Sequence, residues 1–252
     1  MMIVVTGASG TLGTPLVREL VREGADVHGL SRRPREDDGV TWHVGDLATG
    51  PAVLGEADTI VHLASDPFKK GADLVQTRAL LEAARPDARL VYVSIVGIDR
   101  HPYAYYRTKL AAERLIEGSG RPYTILRATQ FHDFVASFFD LMSRGPALLA
   151  PTGTSCQPVA VEEVAARLAG LTLDTPGGRA PDLGGPEVLD ARHMARAYLD
   201  VTGKRRALLP VRIPGRVGRA FREGLHLASE PGGSRTWTEF LAERLQSSAR
   251  RS

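Results

Sequence analysis

The chain has 252 residues, 43% hydrophobic and 24% charged, with a net charge of +3, a composition typical of a globular protein long enough to bury a large core. A single cysteine, Cys156, excludes an internal disulfide, suits a reducing cytoplasm and leaves too few thiolates for a zinc centre. No stretch approaches the roughly 18 unbroken apolar residues of a membrane span, and no two histidines stand in H-x-x-x-H spacing; membrane-spanning and metal-dependent functions are set aside.

The start of the chain lacks the basic region and cleavage site of a secretory leader and reads directly as a strand, residues 3–6. A helix is predicted from 11 to about 23, with Leu12, Leu16, Val17 and Leu20 on one face and Gly24 as its stop. Strands follow at 26–30, 41–44 and 59–63, then a helix through Leu74, Leu80 and Leu81 and a fifth strand at 89–94. A helix from about 103 to 117, with Leu110, Leu115 and Ile116 turned inward, leads to a sixth strand at 123–126. Short β-branched runs alternating with helical periodicity predict an α/β fold, a Rossmann-type doubly wound parallel sheet.

Beyond residue 130 the alternation loosens. An aromatic helix is expected at 131–142, a loop rich in glycine, proline and threonine at 145–158, and helices near 161–173, 191–202 and 236–245. Residues 247–252 have nothing to bury and are expected to fray. The organisation expected is an NADP-binding core over 1–130, with a small substrate-binding portion and C-terminal helices over 131–252 packed with it as one compact unit.

Strand one runs into Thr6-Gly7-Ala8-Ser9-Gly10-Thr11-Leu12-Gly13, a G-x-x-G-x-x-G turn. Gly7 permits the sharp exit from the strand, Gly10 lets backbone approach a pyrophosphate, and Gly13 lets the helix pack closely. Phosphate would rest on free N–H groups at the positive end of the helix. The second strand ends in Ser31-Arg32-Arg33 rather than in the acidic residue that holds an unphosphorylated ribose. A guanidinium there pairs with a 2′-phosphate, so the cofactor read from these residues is NADP(H), with Arg32 the main contact. Asp46, followed by Leu47, either accepts from adenine or caps the next turn.

Tyr105-Tyr106-Arg107-Thr108-Lys109 places Tyr105 and Lys109 one helical turn apart on one face. A neighbouring ammonium favours the phenolate and so makes Tyr105 a usable proton shuttle. Ser94, ending strand five, is the candidate to hold the substrate oxygen. On the substrate side Gln130, Phe131 and His132 follow strand six, at the carboxyl end of the sheet; His132 either meets substrate or packs among Phe131, Phe134 and Phe138. Cys156, in the predicted loop, has no activating base and is given no redox role.

Together these pieces resemble the short-chain dehydrogenase/reductase superfamily, and in particular its atypical branch of NmrA-like and sugar-epimerase-like NAD(P)H-binding proteins. The likeness is carried by the glycine turn, His62-Leu63-Ala64-Ser65, Tyr92-Val93-Ser94-Ile95-Val96-Gly97, Tyr105 to Lys109, and Pro122-Tyr123-Thr124-Ile125-Leu126-Arg127. Farther on, Gln157 to Ala165 and Thr236 to Leu241 match the return to the core and the final helix. The resemblance implies that Leu63, Ala64 and Ser65 line the cofactor, that Lys109 also bonds it, and that Tyr105, Lys109 and Ser94 do the chemistry. Leu63-Ala64-Ser65 replaces the asparagine-alanine-glycine typical of the superfamily, and Ser94 stands closer to Tyr105 in sequence than is usual there.

The function expected is an NADP(H)-dependent oxidoreductase acting on a small carbonyl, quinone or alcohol. An NADP(H)-sensing regulator without turnover, or a redox-neutral epimerase using bound cofactor, are the alternatives. Lys204 to Arg222 carries seven basic residues and no acidic one. That run either meets an anionic partner or is a solvated face balanced elsewhere; with no zinc-finger, helix-turn-helix or RNP-like pattern it is read as the latter. A small-molecule substrate, no nucleic acid, no membrane, and a monomer or homodimer are the partners expected.

Overall fold

A computed structural model describes residues 1–66, 69 and 71–249. In chain order it begins β1 (Met2–Thr6), α1 (Gly13–Arg22), β2 (Asp26–Ser31), β3 (Val40–Val44), β4 (Thr59–His62), α2 (Ala72–Ala83), β5 (Arg89–Ile95), α3 (Ala104–Glu117) and β6 (Tyr123–Ala128). It continues with α4 (His132–Met142), β7 (Ala147–Pro151), β8 (Ser155–Cys156), α5 (Val161–Leu173), β9 (Gly178–Arg179), β10 (Leu189–Asp190) and α6 (Ala191–Thr202). Last come β11 (Ala207–Val211), α7 (Gly215–Arg222) and α8 (Trp237–Ala249).

Among the described residues the main sheet has seven strands in the order β3-β2-β1-β4-β5-β6-β9. The pairings of β1 with β2 and β4, of β2 with β3, of β4 with β5 and of β6 with β9 are parallel. Strands covered on both faces read as unbroken apolar runs, which is why Ile3, Val4, Val5, Ile60 and Val61 are all fully buried. The chain winds outward from β1 to β3 and then returns to lay β4 on the other side of β1. That reversal opens a crevice at the carboxyl ends of β1 and β4, where ligands bind in open α/β sheets. The doubly wound parallel fold expected from the sequence is the fold observed.

The chain divides into two compact units that interleave along the sequence. One comprises Met1–Ser94, Ala104–Arg127 and Val161–Pro181; the other comprises Ile95–Tyr103, Ala128–Ala160 and Asp182–Ser252. In the first, Leu16, Val17 and Leu20 of α1 are buried as their spacing predicts, and Gly24 ends the helix region at φ +75. The inner face of α3 differs from expectation. Of Leu110, Leu115 and Ile116 only Ile116 is buried, and the helix turns Tyr106, Lys109, Ala112 and Glu113 inward instead. The reason is a charge pair: Glu113 is fully buried because Arg127 grips it with two hydrogen bonds, Nε to Oε1 at 2.9 Å and Nη2 to Oε2 at 2.7 Å.

The second unit has its own core, in which Trp237, Phe139, Tyr198, Met194, Leu148 and Phe240 pack together. Trp237 Nε1 donates to the Met194 carbonyl, so its polar edge is satisfied inside. The segment 145–158, expected as loop, forms β7, which pairs in parallel with β11, and β8, which pairs antiparallel with β10. β11 and α7 had no strong signal because β11 contains Pro210 and four of its five residues are exposed. α8 starts behind a capping box: Thr236 Oγ1 accepts from the Glu239 N–H while Glu239 Oε2 accepts from the Thr236 N–H. It runs on to Ala249, so residues 247–249 continue the helix rather than fray; 250–252 lie outside the described residues.

Candidate active site

The turn between β1 and α1 has the geometry a dinucleotide phosphate needs. Gly7 takes φ +69, and a Cβ on it would stand 2.8 Å from the Ala64 nitrogen; a Cβ on Gly13 would stand 2.2 Å from the Gly7 carbonyl. The two glycines thus weld strand, helix start and the carboxyl end of β4 together, while Ser9, Gly10 and Thr11 remain exposed. α1 begins at Gly13, two residues later than expected, behind buried Leu12, with no side-chain cap and no acidic residue in its first turn. Its positive end is unneutralised, which fits an anion.

At the end of β2, Ser31 is buried and its Oγ accepts from the Arg33 N–H at 3.3 Å. Arg32 and Arg33 are exposed, and neither has a carboxylate partner among the described residues. Asp46 caps a short 3-10 turn, Leu47–Thr49, its Oδ1 accepting from the Ala48 N–H at 2.9 Å. Leu47 is a core side chain.

Tyr105 and Lys109 are brought together through two residues that link them. The Tyr105 hydroxyl is 2.7 Å from the Ser65 hydroxyl. Ser65 Oγ donates to Asp73 Oδ2 at 2.9 Å, and Asp73 Oδ2 lies 3.6 Å from Lys109 Nζ. Asp73 Oδ1 accepts from the Asp66 N–H, and Lys109 Nζ donates to the Val93 carbonyl at 2.9 Å. A hydroxyl has one proton. Ser65 gives its proton to Asp73, so Tyr105 is the donor in the Tyr105–Ser65 contact. Lys109 and Asp73 are both buried, and burial pulls the Lys109 ammonium below its usual range against the opposing pull of Asp73. Lys109 Nζ also sits 4.2 Å from the centre of the Tyr92 ring.

Beneath this chain lies a second polar layer. His62 Nδ1 is 2.9 Å from Thr6 Oγ1, and His62 Nε2 is 3.1 Å from Thr77 Oγ1. Thr77 spends its proton on the Asp73 carbonyl, so it accepts from Nε2–H and His62 is the Nε2-protonated tautomer. Burial, and then the Lys109 charge, push the His62 pKa down to about 3, so the ring is neutral. Thr6 Oγ1 also accepts from the Ala64 N–H. The last residue of β1 is therefore tied to the floor of the Tyr105–Lys109 site.

The other candidates are placed differently. Ser94 is buried, and its Oγ has no hydrogen-bond partner among the described residues; the Tyr105 hydroxyl meets Ser65 instead. Leu63 and Ala64 stand half-buried against Gly7, and Ser65 serves the Tyr105 network. His132 is fully buried, stacked on Phe240 at 4.9 Å and near Trp237 at 5.8 Å, whereas Phe134 and Phe138 are exposed. It is thus an aromatic-core histidine, with different neighbours from those expected. Gln130 Oε1 accepts from the Cys156 thiol at 3.3 Å, and Phe131 bridges to Val159. Cys156 lies in β8 rather than in a loop, and burial pushes its thiol up to about 12, which keeps it protonated.

Asp73 is the functional residue the sequence did not disclose. Its helix was read by its leucines, but the buried stripe is Asp73, Thr77 and Leu80, spaced i, i+4, i+7, while Leu74 and Leu81 are only half-buried. The available signal was an acid and a threonine four residues apart in the helix that follows β4 and Ser65.

A family model described as NAD(P)H-binding matches residues 7–170. Over 147 residues the chain is 31% identical to a photosystem II assembly factor of Cyanophora paradoxa, which covers 52% of this chain and 46% of that protein. Over 220 residues it is 27% identical to the chloroplastic divinyl chlorophyllide a 8-vinyl-reductase of Oryza sativa subsp. indica, covering 73% of this chain and 54% of that one. The chain spans about half the length of these curated relatives. In fold it is similar to an NADPH-dependent quinone oxidoreductase of Escherichia coli complexed with NADPH, with a TM-score of 0.78 at 18% identity over 97% of this chain and 100% of that one.

Proposed function

The chain belongs to the NAD(P)H-binding family, and from that premise we propose that it is an NADP(H)-dependent oxidoreductase acting on a small carbonyl, quinone or alcohol. The observation that carries the proposal is the Tyr105 hydroxyl, half-buried at the end of a hydrogen-bonded run through Ser65 and Asp73 to the Lys109 ammonium. Replacing a buried ion pair by apolar side chains is often neutral or stabilising, so fold stability alone does not account for this run. It is suited to moving a proton.

NADPH, when bound, supplies the hydride for such a reduction. The exposed backbone of the β1–α1 turn and the positive end of α1 hold its phosphates, and Arg32, with Arg33 and Ser31 beside it, takes the 2′-phosphate. Tyr105 gives its proton to the substrate oxygen as that oxygen gains charge. The phenolate left behind faces Ser65, whose hydroxyl turns from Asp73 to donate a hydrogen bond to it until the phenol takes a proton back from solvent. Asp73 then stands between Ser65 and the Lys109 ammonium, the positive charge that makes the phenolate tolerable in a buried setting. The buried Ser94 hydroxyl is the group left to accept a new hydrogen bond when the site fills. In the oxidation direction the same groups run in reverse. The single cysteine, held as a thiol, supports the reading of a protein at work in a reducing cytoplasm.

NADPH oxidation by the full chain against a panel of quinones and carbonyls, with NADP+ and alcohols in reverse, tests the proposal. Turnover with a member of the panel supports it. The 31% identity to an assembly factor favours a second reading, a cofactor-binding protein without turnover. NADPH binding with no consumption across the panel selects that reading.

A further inference from the structure

Four of the seven basic residues of the run near the C-terminus gather at one place. Arg212, Arg216, Arg219 and Arg222, with Pro214 and Gly215, line a single cavity of about 710 Å³ in the second unit. That is within the usual size range of small-molecule sites, roughly 300–1,000 Å³. Arg216, Arg219 and Arg222 stand three residues apart on α7, where like charges repel. None of the four is paired with a carboxylate among the described residues. α7 begins at Gly215, behind Pro214, with no side-chain cap and no acid in its first turn, so its positive end opens on the same cavity.

One carbonyl holds this arrangement in place. The Ile213 oxygen accepts from Arg222 Nη1 at 3.0 Å, and a Cβ on Gly218 would come within 1.9 Å of it. Helix and lead-in are thereby pressed together, and the arginine face is fixed toward the cavity. All four guanidinium groups and the helix terminus are without a carboxylate among the described residues. The cavity is open to solvent, and a lining of arginines repels a metal or cationic ligand.

We propose that this cavity binds a ligand through a diphosphate group. Two linked phosphates carry the charge that the four guanidinium groups lack, and their oxygens match the paired donors of arginine. That chemistry belongs to a free or nucleoside diphosphate, and closely spaced single phosphates on an acidic lipid surface are its nearest competitor. The inference is independent of the redox reading, since none of these residues belongs to the Tyr105 site or the glycine turn.

The test is calorimetric titration of inorganic pyrophosphate into the full chain and into the Arg216→Ala/Arg219→Ala variant, with NADPH titrated into both as the reference. Both arginines are exposed, so the variant keeps the fold. Pyrophosphate affinity is expected to fall by roughly tenfold or more in the variant, with NADPH affinity unchanged. Co-sedimentation with phosphatidylcholine vesicles, with and without phosphatidic acid, separates the sources. Binding to acidic vesicles that the variant loses, without pyrophosphate binding, overturns the diphosphate reading in favour of a lipid monophosphate. Equal pyrophosphate affinity in both proteins, or no binding of either probe, overturns the proposal.

Discussion

The Tyr105 hydroxyl is a hydrogen-bond donor to Ser65, 2.7 Å away, because Ser65 has already committed its own proton to Asp73. That polarity makes the tyrosine a neutral, proton-loaded phenol, aligned with a carboxylate and an ammonium behind it. Ser65 is the hinge. Ser65→Ala leaves Tyr105 and Lys109 in place but cuts the run between them. We expect kcat to fall by roughly tenfold, a part of the usual range for general acid–base catalysis, with the affinity for NADPH little changed. Steady-state kinetics with the best substrate checks this; wild-type kcat would show that Ser65 does not stabilise the Tyr105 phenolate.

Asp73 has a structural as well as a chemical task. Asp73→Asn leaves the buried Lys109 ammonium without its carboxylate, and loss of one partner of a buried pair costs about 3–5 kcal/mol. The Lys109 pKa, already lowered by burial and supported by Asp73, falls further. Urea denaturation reads the first effect. The second appears as a change in the pH profile of kcat that Ser65→Ala does not reproduce.

His62 sets an acid limit on stability. Its folded pKa, about 3, lies below the ordinary value of 6.5. Between those values the unfolded chain carries a proton on this residue that the native protein does not, so stability rises with pH through this window and is lost as pH falls. The slope is about 1.4 kcal/mol per pH unit for one such group. His101, pushed down to about 4 by burial and then by His226, adds in the same sense. Thermal denaturation across pH 4 to 6 should show His62→Gln with roughly one proton less taken up on unfolding than the wild type; identical pH slopes would refute the buried neutral ring.

Glu113 tests how the sequence places α3. Arg127 holds it from within, and the more exposed Arg179 reaches it at 3.0 Å. Glu113→Gln strands a buried guanidinium and should cost about 3–5 kcal/mol. Arg179→Ala, at the rim, should cost about 1 kcal/mol or less. Chemical denaturation of the two variants gives the ratio.

Arg32 decides the cofactor. Arg32→Ala should weaken NADPH by roughly tenfold or more, the worth of a charge-assisted contact, and leave NADH unchanged. Equal losses for both would assign Arg32 to something other than the 2′-phosphate.

The legible parts of this chain were those where one local rule acts alone. The glycine turn, most of the β-branched strands and the helices over 161–173 and 191–202 emerge from spacing, because their buried faces are largely apolar; β3 is legible by its β-branched ends alone. The site is different. Its inward faces are polar, and hydrophobic periodicity is blind to Asp73, Thr77, Lys109 and Glu113, which are buried only because a partner from another element satisfies each of them. Ser65 was placed beside the cofactor by likeness, and only the fold brings it to Tyr105. β11 and α7 escaped notice for the opposite reason: they bury little, so their sequence carries no core pattern.

Single-turnover NADPH oxidation with Tyr105→Phe puts the proton run to its most direct trial. The substitution removes one hydroxyl and keeps the ring, so NADPH affinity should stay at the wild-type level while the rate of the chemical step drops by about a hundredfold or more. A variant that oxidises NADPH at the wild-type rate would contradict Tyr105 as the proton donor.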